Sequence, residues 1–119
     1  MVILGTDAII DAAIRILLID EQISLTFSDN SVSIKFPTTR RLAEFLEVPH
    51  YYILPYFAMM EQDALVTRAE RVGVLTTMKG TKRLIARAQE AYLPQMEALI
   101  GPALLSAVIE RIRELTGKE

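Results

Sequence analysis

The chain carries one histidine, His50, and no cysteine. Those two counts remove much of catalytic chemistry. A Ser-His-Asp or Cys-His nucleophile, a disulfide framework and a zinc site built on cysteine all need residues that are absent. No glycine-rich phosphate loop occurs, and the acids are dispersed rather than paired for acid–base work. Neither an enzyme nor a bound cofactor is expected. The residues that remain able to do something are charges and aromatics. Net charge is −2, but it is unevenly spread. Between Arg41 and Arg68 there is no Lys or Arg, while Glu44, Glu47, Glu61 and Asp63 all fall there. From Arg68 to Arg87 the balance reverses, with Arg68, Arg71, Lys79, Lys82, Arg83 and Arg87 against Glu70 alone. A phosphate-binding surface is expected in that second window.

The acidic window contains "VPHYYILPYFAMMEQDALV", residues 48–66. Helical spacing puts Ile53, Tyr56, Phe57 and Met60 on an inward face. His50, Tyr51, Tyr52, Leu54, Pro55, Ala58 and Gln62 then point outward. Met59, Met60 and Met78 read as core filling, and His50 as a capping or surface histidine. Base readout in the major groove leans on Arg, Asn and Gln, and Gln62 alone offers such a group, at the far end. Tyrosine hydroxyls can still reach phosphates, and Tyr, Leu and Ala can touch thymine methyls. Proline is cheap only in a helix's first turn, where N–H groups have no intrahelical partner. The helix is therefore expected to begin at Tyr51 or Tyr52 and to present Tyr and Pro as a hydrophobic knob, a surface of the kind that marks a protein partner.

The remaining elements must hold these two surfaces in place. At 119 residues, 51% of them hydrophobic, the chain is sized for one domain with a real core. The first 21 residues lack a positive start and include four acids; neither a signal peptide nor a membrane span is expected, and a cytoplasmic protein is. A helix over 7–19 shows one apolar stripe at Ile9, Ile10, Ala13, Ile14, Leu17 and Leu18, and a second at Ala12, Ile16 and Ile19. Two apolar faces predict burial by the domain on one side and a partner chain on the other. "ISLTFSDNSVSIKF" alternates with period two. With Ser28–Ser31 as the loop, Phe27 faces Val32, Leu25 faces Ile34 and Ile23 faces Phe36, all on one side of a hairpin over 23–36. Thr38 or Thr39 caps the next helix. "LVTRAERVGVLTT" predicts two short strands turning near Glu70–Gly73, and a helix is expected to restart at about Thr81. Pro94 and Gly101-Pro102 punctuate the approach to a final helix over 103–116.

Helix, strand, helix, turn, helix, two strands, helix is an order that resembles a winged helix-turn-helix. "RRLAEFLEVPHYYILPYFAMMEQDALV" and "VLTTMKG" carry the likeness. Leu42-Ala43, Val48, Ile53, Met60 and Leu65-Val66 stand at the family's recurring positions, and "LTTMKG" is similar to the step from wing to following helix in MarR-like and PadR-like transcriptional regulators. The resemblance covers residues 38–88, the helix-turn-helix and wing. Glu47 and Ala64 stand where that pattern usually has glycine, so altered backbone geometry is expected at both.

The resemblance implies a mainly α fold with a small antiparallel β part, the helices 7–19 and 103–116 serving dimerisation. It implies a homodimeric DNA-binding regulator of double-stranded DNA. Arg40, Arg41, Arg68, Arg71, Lys79, Lys82 and Arg83 would grip phosphate, and Tyr51, Tyr52 and Gln62 would read sequence weakly. The alternative is a winged helix used as a protein-interaction module, docking a partner through His50, Tyr51, Tyr52, Leu54 and Pro55.

Overall fold

The computed structural model describes residues 4–117. Its first helix, α1 (Thr6–Asp20), ends on Glu21 in left-handed backbone, whose N–H and that of Gln22 close on the Leu18 and Leu17 carbonyls. Both apolar stripes of α1 are covered within the chain: Ile9, Ile10, Ala13, Ile14 and Leu17 on one side and Ala12 and Ile16 on the other are buried, and Ile19 alone stands 61% exposed. Of the second stripe, Ala12 and Ile16 are taken up by the domain itself, and Ile19 is left exposed at the end of the helix.

The hairpin β1 (Leu25–Phe27) and β2 (Val32–Ile34) pairs Leu25 with Ile34 and Phe27 with Val32, the register expected from the alternation. Val32, Ile34 and Phe36 are buried, whereas Ile23 and Leu25 are half-buried and Phe27 is 46% exposed. The shared face is real: its β2 half is buried in the core, and Ile23 and Leu25 pack against that core from its edge. Beyond Ile34 the strand runs on to a second hairpin, β3 (Val66–Ala69) and β4 (Gly73–Thr76). Lys35 bridges Leu75, and the Phe36 N–H donates to the Val74 carbonyl at 2.8 Å. The two hairpins thus meet along β2 and β4.

Between the hairpins lie α2 (Thr39–Leu46), a 3-10 turn at His50–Tyr52 and α3 (Leu54–Gln62). Thr38 caps α2, its side chain accepting from the Arg41 N–H at 3.0 Å. Leu42 and Ala43 are buried on α2 and Phe57 and Met60 on α3, with Ile53 buried just ahead of α3; Phe57 meets Phe36 edge-to-face at 5.7 Å between ring centroids. Helix α3 starts slightly later than Tyr51–Tyr52, because those residues wind a 3-10 turn and Pro55 occupies the first turn of the α-helix proper. Glu47 and Ala64 take φ of 59° and 61°. The backbone does at both what glycine would let it do, so no altered geometry results.

After the second hairpin, α4 (Met78–Ala91) begins three residues before the expected Thr81, because Thr77 caps it by accepting from the Gly80 N–H at 3.1 Å. Gly80 lies so close to the Leu65 carbonyl that a Cβ there would sit 1.9 Å from its oxygen. A further helix, α5 (Leu93–Ile100), was not expected. Pro94 opens it rather than interrupting the chain, since proline suits a first helical turn. Helix α6 (Pro102–Thr116) closes the domain with Leu105, Val108 and Ile112 buried. Arg111 donates to the Ser28 and Asp29 carbonyls at 3.1 and 3.3 Å, which ties α6 to the first hairpin's loop.

Two buried hydroxyls join these layers. Thr76 on β4 accepts from the Ile34 N–H at 2.8 Å and exchanges a 2.6 Å hydrogen bond with Thr81, which donates to the Val32 carbonyl. A strand of each hairpin and α4 are thereby fastened at one point. No helix of the described residues is long and apolar enough to cross a membrane.

Candidate functional site

The α2–turn–α3 segment and the β3–β4 hairpin each present a surface to solvent, and their chemistry differs. On α3 and the turn before it, the outward positions are those expected. Tyr51 is 66% exposed, and Tyr52, Leu54, Pro55, Ala58 and Gln62 are exposed with it. The two tyrosine rings lean edge-to-face on each other, 5.0 Å apart. Met59 corrects its reading as core filling: it is 48% exposed and extends the apolar surface, whereas Met60 is buried and Met78 half-buried. His50 is half-buried, and its Nε2 lies 2.7 Å from Thr39 Oγ1. That bond pins the tyrosine-bearing turn to the first turn of α2 and engages one of the ring nitrogens a partner would otherwise meet.

The basic residues fall into two groups. Arg68 forms a two-pronged pair with Glu61 of α3, Nε to Oε2 at 2.9 Å and Nη2 to Oε1 at 3.4 Å. Arg41 reaches Asp20 at 2.9 Å and Glu44 at 3.9 Å. The Asp20 hydrogen bond, ahead of any Coulomb effect, holds the Arg41 guanidinium above its ordinary pKa. Arg83 pairs with Asp7 of α1, and Lys79 donates to the Asp63 carbonyl at 2.9 Å. Arg40, Arg71 and Lys82 are exposed and make no ion pair among the described residues. The excess of cations along 68–87 is thus partly neutralised by acids that are distant in sequence and adjacent in space.

Arg71 stands apart from the other two by its place in a turn. It sits in the β3–β4 turn, where the Val72 N–H donates to the Ala69 carbonyl, and its φ is 68°. A non-glycine residue in that region carries a cost of about 1–2 kcal/mol. The turn therefore projects an arginine where glycine would be the cheaper choice.

A cleft of about 850 Å³ lies between α1 and α4, bordered by Asp7, Asp11, Arg83, Arg87 and Glu90. Its charges satisfy one another. Asp11 accepts from Arg87 at 3.0 Å and from the Tyr92 hydroxyl at 2.9 Å, and Arg87 also reaches Glu90 at 3.2 Å. The cleft is clamped by its own ion pairs. Comparison with family models, with curated proteins and with solved structures returns no match to this chain.

Proposed function

We propose that the chain is a winged-helix DNA-binding regulator in which the β3–β4 hairpin is the wing and α2–turn–α3 the helix-turn-helix. The observation that carries this reading is Arg71, projected from the exposed hairpin turn in left-handed backbone with no ion pair among the described residues. Arg40 at the start of α2 and Lys82 on α4 are likewise available to phosphate. Arg41, Arg68, Lys79 and Arg83 join them only by exchanging present partners. That exchange costs little for the three arginines, because their ion pairs are open to solvent. Base-specific contact is weak on this reading: Tyr51 and Tyr52 offer van der Waals contact to thymine methyls, and Gln62 alone offers a donor–acceptor group.

Binding to duplex DNA across a salt series tests it. Each phosphate contact releases counterion and steepens the log–log slope by about 0.9. Arg71→Ala is expected to weaken binding on every sequence and to flatten the slope by about one contact. Parent protein that binds no duplex at low salt would sink the reading.

A specific observation favours a second reading, a protein-docking winged helix. The exposed surface of α3 is apolar and carries no cation, and Glu47 and Asp63 are exposed near its two ends. DNA phosphates find only the tyrosine hydroxyls and the Gln62 amide there, with no positive charge to hold them, whereas a basic-rimmed apolar groove on another protein would meet both the apolar surface and its acids. On the DNA reading, Tyr51→Ala with Tyr52→Ala alters sequence preference and leaves the salt slope alone. On the docking reading that pair leaves DNA untouched, and Arg71→Ala does too.

A further inference from the structure

Lys35 lies outside the run of cations from Arg68 to Arg87, yet the fold brings it to the same hairpin. It stands one residue past β2 and bridges Leu75 of β4 in antiparallel register. Paired residues, and residues two apart on a strand, share a face of a sheet. Leu75 also pairs with Thr67, so Ser33, Lys35, Leu75, Gly73 and Thr67 all stand on one face. Val32, Ile34 and Phe36, on the opposite face, are buried. The outer face thus offers two hydroxyls and one cation, with no acid among those residues.

Gly73 decides where that cation goes. The Lys35 Cε lies 3.9 Å from the position a Cβ on Gly73 would take. The stem is laid along β4 toward the hairpin turn, past a residue with no side chain to deflect it, and the ammonium is one bond further on. Arg71 follows two residues away in that turn, and both side chains are exposed. Neither makes an ion pair among the described residues, and Glu70, the acid of the turn, pairs with neither. Two unanswered like charges at one end of a hairpin raise the local potential, and a polyanion lowers it. We propose that Lys35 is a further phosphate-contacting residue, and that a bound duplex extends from the hairpin turn onto the outer face of the sheet. Ser33 and Thr67 suit the same backbone, since phosphate oxygens accept from hydroxyls as well as from cations. The proposal rests on the DNA-binding reading and adds to it the side of the hairpin along which the duplex lies.

Duplex binding by the full chain, followed across a salt series, is the test. Lys35→Met keeps the length of the side chain and removes its charge. It is expected to weaken binding several-fold on every sequence and to flatten the log–log slope by about 0.9. Combined with Arg71→Ala the loss should reach about two contacts, and Lys35→Arg should keep the parent's slope. Arg113→Met removes the same charge from α6 and should leave the slope alone, which separates contact from net charge. The chain has no cysteine, so Lys35→Cys takes a single thiol-reactive photocrosslinker. Crosslinks to the duplex are expected from position 35, and none from Arg113→Cys. Because Lys35 is exposed, the fold tolerates each change, which far-UV circular dichroism checks. A parent that binds no duplex removes the DNA reading and this proposal with it. Lys35→Met keeping the parent's slope where Arg71→Ala flattens it overturns this proposal alone, as does a position 35 that gives no crosslink.

Discussion

Three residues set how tightly this backbone is specified, and between them they make two opposite demands. At Gly80 the demand is steric. With 1.9 Å between an added Cβ and the Leu65 carbonyl oxygen, neither backbone can yield without moving α4 away from the Leu65 segment, and Thr77, which caps α4, also hydrogen-bonds the Ala64 carbonyl. Gly80→Ala is expected to cost about 3 kcal/mol or more, read as a large fall in the thermal midpoint. Glu47 and Ala64 demand the opposite change. Both occupy left-handed backbone at helix ends, where a Cβ is a burden and glycine is not. Glu47→Gly and Ala64→Gly should each raise stability by about 0.5–1 kcal/mol, part of the strain relief being lost to unfolded-state entropy. A fall in midpoint for both would show that side-chain contacts at those sites outweigh the strain. Sequence spacing located these positions as departures from a glycine pattern. It gave no sign that the chain keeps the conformation and bears its cost, because φ is decided by the hydrogen bonds of Val48 and Leu65 back onto Ala43 and Met60.

Elements were legible where a period was clean. The β1–β2 register follows from alternation plus a four-residue loop, and α2 from a threonine cap ahead of Leu42, Ala43, Phe45 and Leu46. Helix α5 was hidden because Pro94 looks the same in sequence whether it ends one helix or begins another. The fate of α1's second stripe was hidden because periodicity counts faces and not neighbours. Only the packing shows that the domain itself covers Ala12 and Ile16. The α1–α4 clamp was equally invisible, since Asp11 lies 76 residues from Arg87 and 81 from Tyr92. That clamp makes a pH prediction. Burial first, and the hydrogen bond to Asp11 second, push the Tyr92 phenol above its ordinary value of 10.0. A group whose folded pKa is raised adds stability that is complete below its unfolded pKa and lost as pH rises through the folded one. Denaturant titrations should therefore show Tyr92's contribution intact below about pH 10 and declining above it. Tyr92→Phe should remove that part of the alkaline decline, along with about 1 kcal/mol at neutral pH for the lost hydrogen bond. An unchanged alkaline limb in the variant would assign the decline to other groups.

Over the whole molecule, charge was the least legible property, and the reason is geometric. Counting cations along 68–87 tallies chain neighbours, while electrostatics depends on spatial ones. Arg68 answers Glu61, Arg83 answers Asp7 and Arg87 answers Asp11, so half of the six-cation window is spent on acids outside it. The apolar character of α3, by contrast, was plain in the sequence, because no packing can supply a cation where the chain has none. Glu61 now becomes the residue that separates the two functional readings. It is half-buried on α3 and holds both prongs of Arg68. Glu61→Gln removes one negative charge from the α3 surface and frees one positive charge on β3, with little change in side-chain shape. If the hairpin grips DNA, the released Arg68 becomes a further phosphate contact. Affinity should then rise on every duplex, and the log–log salt slope should steepen by about 0.9. Adding Arg68→Ala to Glu61→Gln should cancel the gain. If α3 instead docks a basic partner, DNA affinity stays where it was. A Glu61→Gln protein with the parent's salt slope, measured beside an Arg71→Ala protein that also keeps it, would remove both arginines from any DNA contact and leave the tyrosine surface of α3 as the site to pursue.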